Sequence, residues 1–368
     1  MAGTTDPIRD FFRRHRAAPV GSYQPQPDME AAADEPEEVI DLDVEVQPHL
    51  WVPIIPAEAP ARADEAPSRF IDGSHIGHAV LSLRSPDLGC AVPLMLSEVG
   101  GVAMNWERRG LVRDFYGLER VVSLVADLFP WDQIESLSSA MRSLPDFSLR
   151  LLPANRPAAS NLFDYEQMRK QAQNRSNQEM ADWEAVALAS DVDRPVVVDG
   201  RLEPRLRAEA AAARSLVVGV IKQHAVPYLH SQGFRTLLDL RPGQRTPVFK
   251  IAKRKTSDGI VVPLSLPVAS WYVKLGGATA QSGPNYGYIR VEVAWVQFEK
   301  WLPDQKGFTD RLSRWLIDAR CRQASYSRMA VSLEPIVRAE ESLKSLFTPF
   351  TVLRNRFYLA AGVREEDV

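Results

Sequence analysis

The sequence predicts an α/β fold: a mixed β-sheet flanked by helices, with additional helices and a disordered N-terminal arm. Three observations lead there. Pro195-Val196-Val197-Val198 ends abruptly in Asp199-Gly200, the pattern of a strand buried on both faces with an acid at its C-terminal tip. Leu216 to Ile221 is a second such run, ending in Lys222, and the interval leaves room for one crossover helix across Leu206 to Arg214. Upstream, hairpin-spaced strands between Arg69 and Trp106 form an antiparallel meander, separated from the β-α-β unit by a long helical stretch.

In chain order, residues 1–16 form an amphipathic head. Asp6-Pro7 supplies an N-cap and a first-turn proline, Ile8, Phe11 and Phe12 share a face, and Arg9, Arg13, Arg14 and Arg16 surround it. So short a helix needs a partner surface, so it is either a docking helix or a frayed terminus. Residues 17–66 read as an acidic, proline-rich linker. No Lys or Arg occurs from Ala17 to Ala61, where ten acids lie; removing them from the net charge of -3 leaves a body of +7. Within it, Leu50 to Pro56 is too apolar for a linker, and either docks to a partner or covers a groove of its own domain.

Residues 67–368 form the folded domain. Phe70-Ile71-Asp72-Gly73-Ser74 ends a short strand, His78 to Leu83 alternates toward a turn, and Cys90 to Leu96 and Val102 to Trp106 are further strands joined by Gly100-Gly101. Helices are expected over 114–128 and 132–142, where apolar residues recur at three and four. In the helix predicted over 161–190, Tyr165, Met168, Ala172, Trp183 and Val186 lie on one side with Glu179 in their midst, while Asp182 and Glu184 fall toward the edges. Two roles fit Glu179: metal ligand, or half of a buried ion pair with Arg175.

The two cysteines, Cys90 and Cys321, form no CxxC pair, so no disulfide framework or zinc site is expected. No apolar run approaches the ~20 residues of a membrane span, and the N-terminus lacks the basic-then-apolar order of a signal peptide; a cytoplasmic setting is expected. GxxxxGK[ST], HExxH and GxSxG are absent, so movement driven by ATP would come from a partner.

An acid on the first strand (Asp72), one on the following helix (Glu179) and one at the tip of a later parallel strand (Asp199) is the arrangement of an RNase H-like core. Two divalent ions about 3.5–4 Å apart need several hard oxygen ligands to activate water and stabilise the leaving oxygen of a phosphodiester. Lys222 is placed either to assist the phosphate or as a solvated lysine. Arg235, Arg241, Arg245, Lys250, Lys253, Arg254 and Lys255 form a basic stretch suited to gripping a phosphate backbone, or a solvated hairpin. Arg290 and Glu292 share one strand face, as a site pair or a structural bridge.

These residues also resemble the NurA nucleases. The match runs through Phe70 to Ser74, Val197-Val198-Asp199-Gly200-Arg201-Leu202, Val217 to Lys222, Arg245 to Phe249, Trp271 to Leu275 and Tyr288 to Glu292, with a weaker continuation from Asp318 to Glu334. The resemblance implies manganese-dependent (Mn2+, with Mg2+ as the alternative) cleavage of DNA, 5′-to-3′ exonuclease and single-strand endonuclease activity, a homodimer, and partnership with a hexameric HerA-type ATPase in DNA end resection and double-strand break repair. It carries the family's catalytic acids onto Asp72 and Asp199, and more loosely onto Glu179. Archaeal relatives add a C-terminal tyrosine and histidine; here the last histidine is His230, and Asp318 is the expected substitute. From another class, a non-catalytic clamp or adaptor that grips DNA for a motor fits the same basic body.

Overall fold

A computed structural model describes residues 6–20, 37–157, 164–222, 229–255, 260–276, 287–323, 326 and 328–363, with the backbone alone for 37–42. Helix α1 (Pro7–Arg14) begins where Asp6 accepts the Ile8 N–H at 3.0 Å. Its apolar face is buried in the chain's own core: Phe12 meets Phe357 edge-on, and Phe11 packs against Phe129. The surface that this helix needs is therefore intramolecular. Residues expected as linker are partly folded as well. Strand β1 (Ala18–Pro19) pairs with Leu81 and Ser82, and β2 (Glu37–Asp43) pairs with residues 249–255. Trp51 is fully buried against Phe249 and His230, so the apolar segment covers a groove of its own domain. Residues 21–36 lie outside the described residues.

Strands β3 (Arg69–Arg84), β4 (Ala91–Glu107) and β5 (Gly110–Val125) form an antiparallel meander, but the short strands expected between Phe70 and Trp106 merge into the two long strands β3 and β4, and the third strand lies beyond them. Gly100 and Gly101, expected to join two strands, lie inside β4 instead. The helix expected over 114–128 is also corrected: Gly110 to Val125 is strand β5, in register with β4 through Gly101↔Gly117. Arg108-Arg109 and Gly110, whose φ is 119°, make the reversal that sets this pairing. Val121, Val122 and Val125 are β-branched residues that suit a buried strand better than a helix.

Helix α2 (Trp131–Arg142) and strand β6 (Arg150–Ala154) lead to the 25-residue α3 (Tyr165–Ala189), capped by Asp164, which accepts the Glu166 and Gln167 N–H groups. Strand β7 (Val196–Asp199), helix α4 (Ala208–Ala212) and strand β8 (Val217–Ile221) form the expected β-α-β unit. After α5 (Ser231–Asp239), β9 (Phe249–Lys255), β10 (Val261–Lys274) and β11 (Tyr288–Ala294) extend the sheet. Helices α6 (Trp295–Phe298), α7 (Gln305–Asp318), α8 (Glu334–Lys344) and α9 (Phe350–Ala361) follow. One 11-stranded sheet results, in the order β2-β9-β10-β11-β8-β7-β3-β4-β5-β6, with β1 on β3 beside this path.

Strands β3, β7 and β8 are mutually parallel at the centre of the sheet. Their alternate side chains enter different cores. Phe70, Val197, Val218 and Val220 pack with Phe308, Leu312 and Leu333 on the α7 side, whereas Ile71, Val196, Val198 and Val217 pack with Ala187 and Leu188 of α3. Trp271, Tyr272 and Tyr288 are buried in these cores. Among the described residues, no helix is long and apolar enough to cross a membrane.

Candidate active site

The register of the parallel strands brings distant charges together. Ile71 lies opposite Val198, so the next residues along, Asp72 and Asp199, come side by side; Asp199 in turn lies opposite Val220, two residues before Lys222. Alternation then sets Asp72 on the face of Phe70, Asp199 on that of Val197, and Lys222 on that of Val218 and Val220. Strand β7 stops at Asp199, where Gly200 turns the chain with φ 105°, while β3 continues to Arg84. Between the end of β7 and the pairing of β1 with Leu81 and Ser82, no strand among the described residues flanks this edge of β3, and the Gly73 N–H is taken up by the Glu184 carboxylate of α3.

Glu184 reaches the same place from the other face of the sheet. A Cβ on Gly73 would stand 2.8 Å from the Glu184 carboxyl carbon, and one on Gly101 would stand 2.9 Å from the Trp183 backbone. Glycine at these two positions lets α3 lie directly on β3 and β4. Arg205, from the loop after β7, holds Glu184 at 2.5 Å and donates to the Arg201 carbonyl at 2.7 Å. Lys222 Nζ lies 2.6 Å from Asp199 Oδ2. From α8 comes Glu340, which accepts the Tyr326 hydroxyl and the Lys344 ammonium, each at 2.6 Å.

Charge crowding marks this cluster. Burial, and then the charge of Asp199, push the Asp72 carboxyl well above its ordinary range; Lys222 opposes the shift, while Glu184 and Glu340 add to it. Asp72 forms no ion pair among the described residues. Burial also raises Glu184 against the pull of Arg205. For Lys222, burial favours the neutral amine, but Asp199 and Asp72 outweigh it and keep the ammonium charged. Burial and the Glu340 hydrogen bond raise Tyr326, and Glu340, despite burial, is lowered by Lys344 and Tyr326.

The helix acid differs from the one expected. Glu179 is buried, but it is bound by Arg150 at 2.5 Å and Arg175 at 3.5 Å, the ion-pair alternative in which Arg150 is the closer partner. Arg150 is in register with Val121, which faces Ser97, which faces Gly77: five residues along β3 from Asp72 and three strand spacings, about 14 Å, across the sheet. Glu184, five residues after Glu179, is the acid that α3 delivers to β3. Asp318 is likewise outside the cluster; it ends α7 with its side chain 61% exposed, 3.4 Å from Arg314. Tyr326, Glu340 and Arg205 have no local sequence signal that points to the site.

The basic stretch divides. Arg245 is fully buried and holds Glu45 through two bonds of 2.7 and 2.8 Å and Asp310 at 2.7 Å, so it is a structural cation and not a phosphate ligand. Lys250 lies over the Trp295 ring, 4.2 Å from its centroid, and Arg254 reaches Glu203 at 3.4 Å. Arg235 and Arg241 are exposed on and after α5, and Lys253 and Lys255 are exposed on β9. Arg290 and Glu292 form a buried bridge of 2.7 Å, with Glu292 also accepting the Leu202 N–H, which shapes the loop after Asp199. Among the described residues, no three His, Cys, Asp or Glu side chains are already gathered to hold a metal ion.

The sequence matches no known family model and no curated protein. Among solved structures, the fold is similar to the crystal structure of the NurA nuclease from Sulfolobus solfataricus, at 10% identity over 80% of this chain and 81% of that one, with a TM-score of 0.41.

Proposed function

We propose that the chain is a metal-dependent DNA nuclease in which Asp72, Glu184 and Asp199 hold divalent cations and Lys222 assists the phosphate. One observation carries it: Asp72 of β3 and Asp199 of β7 come side by side with the buried Lys222 where a parallel strand ends inside a mixed sheet, and Glu184 of α3 lies near enough for its charge to act on Asp72. Ligands gather at such strand ends. An antiparallel meander, a long helix and two further parallel strands, in the order β5-β4-β3-β7-β8, support an RNase H-like core.

The donors fit a hard cation. All are carboxylate oxygens, and Asp72, crowded by like charge with no ion pair of its own among the described residues, is the group that a bound cation would most relieve. Mn2+, or Mg2+, would supply an activated water and neutralise charge on the phosphodiester. The chain's own groups do the rest. Arg205 and the Gly73 N–H orient Glu184, and Lys222, released from Asp199, donates to a phosphate oxygen. The same proposal extends to 5′-to-3′ exonuclease and single-strand endonuclease action, a homodimer, and a HerA-type hexameric ATPase partner in end resection and double-strand break repair, which rest on the sequence resemblance alone, and to a cytoplasmic setting, which rests on the cysteine usage and the lack of a long apolar run in the sequence.

A second reading, the non-catalytic DNA clamp, is favoured by the internal neutralisation of Asp199 by Lys222 and of Glu184 by Arg205. Incubating the full chain with end-labelled single-stranded DNA separates the two. Cleavage in Mn2+ that EDTA abolishes supports the nuclease, and binding without cleavage in either metal supports the clamp.

A further inference from the structure

The acidic arm lies against the basic strand. Four of the seven residues of β9 are Lys250, Lys253, Arg254 and Lys255, and the strand that covers its outer edge is β2, Glu37–Asp43, which contains four acids. The antiparallel register sets Glu37 opposite Lys255 and Glu38 opposite Arg254. Residues directly opposite on antiparallel strands are nearest neighbours across the pair, so the register matches negative to positive.

The attachment is uneven. At the C-terminal end of β2 the chain is fixed: the Val44 and Glu45 N–H groups both donate to the Val248 carbonyl, Asp43 lies 3.3 Å from His230, and the Glu45 carboxylate is held by buried Arg245. Upstream of Asp43 the strand is held by pairing to β9 along a sheet edge, interrupted by two register shifts. Pairing with such irregularities opens more readily than the buried lock beneath it. Lifting β2 would leave an edge strand with unpaired N–H groups and four basic residues. That edge leads toward the candidate site, because Arg254 reaches Glu203 on the loop between Asp199 and Arg205.

We infer that β2 is an acidic strap, hinged at residues 43–45, which occupies a single-stranded nucleic acid-binding edge on β9 and is displaced when the strand binds. The inference rests on the nuclease reading only for the identity of the polyanion. Backbone phosphates replace the strap's carboxylates, so binding is salt-dependent and indifferent to sequence.

The test uses the full chain, fluorescein-labelled oligo(dT) and EDTA, so that binding is read without cleavage. In Val39→Cys/Lys253→Cys, two positions in register, oxidation is expected to form a disulfide that closes the strap; Cys90 and Cys321 are buried. The oxidised protein should bind at least about 10-fold more weakly than the same protein after reduction, and Glu37→Gln/Glu38→Gln should bind more tightly than wild type at 50 mM salt, roughly, with the gap closing as salt rises. Failure of the disulfide to form, equal binding by oxidised and reduced protein, or unchanged affinity in the double glutamine variant would each overturn the strap. The nuclease reading stands or falls separately, on cleavage in Mn2+ by wild type against Asp72→Asn.

Discussion

Residue by residue, much of this chain's ionic chemistry is structural, and position in the fold decides which charges are left for a substrate. Arg245 sits in a run of basic residues that resembles a DNA grip, yet it is sealed between Glu45 and Asp310. Removing it strands two carboxylates away from water. Arg245→Met should therefore lower unfolding free energy by about 3–5 kcal/mol in a urea titration; a loss under about 1 kcal/mol would show that the pair is solvated after all. Asp72, Asp199 and Lys222 were legible because each ends or interrupts an apolar run, so that even a short stretch of sequence shows where the strand stops. Glu184 was not legible. A helical wheel centred on Trp183 places it at an edge, and its burial is decided by Gly73 and Gly101, glycines roughly 80 to 110 positions away that let the helix close on the strands.

At the scale of elements, period and length explain both agreement and error. The β-α-β unit was readable because a strand buried on both faces is a continuous apolar run, and only an acid, a glycine or a lysine ends it. Strand β5 was not, because Phe115, Leu118, Val122 and Val125 recur at three and four as well as any helix, while the partner that makes them a strand is set by the turn at Arg108-Arg109 before Gly110. Glu179 shows a related limit: its acid was correctly placed on a buried face, but α3 crosses four strands, and that face meets Arg150 of β6 before its next turns meet β3. Contact between α3 and β4 can be tested at one atom. In Gly101→Ala the new methyl meets Trp183 backbone at 2.9 Å, which cannot rotate away, so the helix must shift and carry Glu184 with it. A stability loss of about 1–3 kcal/mol together with reduced cleavage is expected, whereas Gly89→Ala, with no atom within 4 Å, should cost only its left-handed backbone strain, about 1 kcal/mol, and leave cleavage unchanged. Equal cleavage by Gly101→Ala and wild type would mean that the helix does not position the site.

For the whole molecule, the sheet joins two kinds of surface: a parallel centre whose strand ends gather acids, and a long edge where the chain's acidic arm meets its basic strand. Opposite charge in the arm and the body was visible in the composition, but their pairing was not, since register is a property of two strands and neither sequence specifies it alone. The central claim is that carboxylates from β3, α3 and β7 form one metal-dependent unit, with Glu184 and not Glu179 as the helix acid. It is tested most directly by single-turnover cleavage of labelled single-stranded DNA in saturating Mn2+ by wild type and by Asp72→Asn, Asp199→Asn, Glu184→Gln and Glu179→Gln. Rates at least about 100-fold lower for the first three variants, with Glu179→Gln within a few-fold of wild type, are the expected result. Full activity in Asp72→Asn and Asp199→Asn, or loss in Glu179→Gln with Glu184→Gln unaffected, would contradict it.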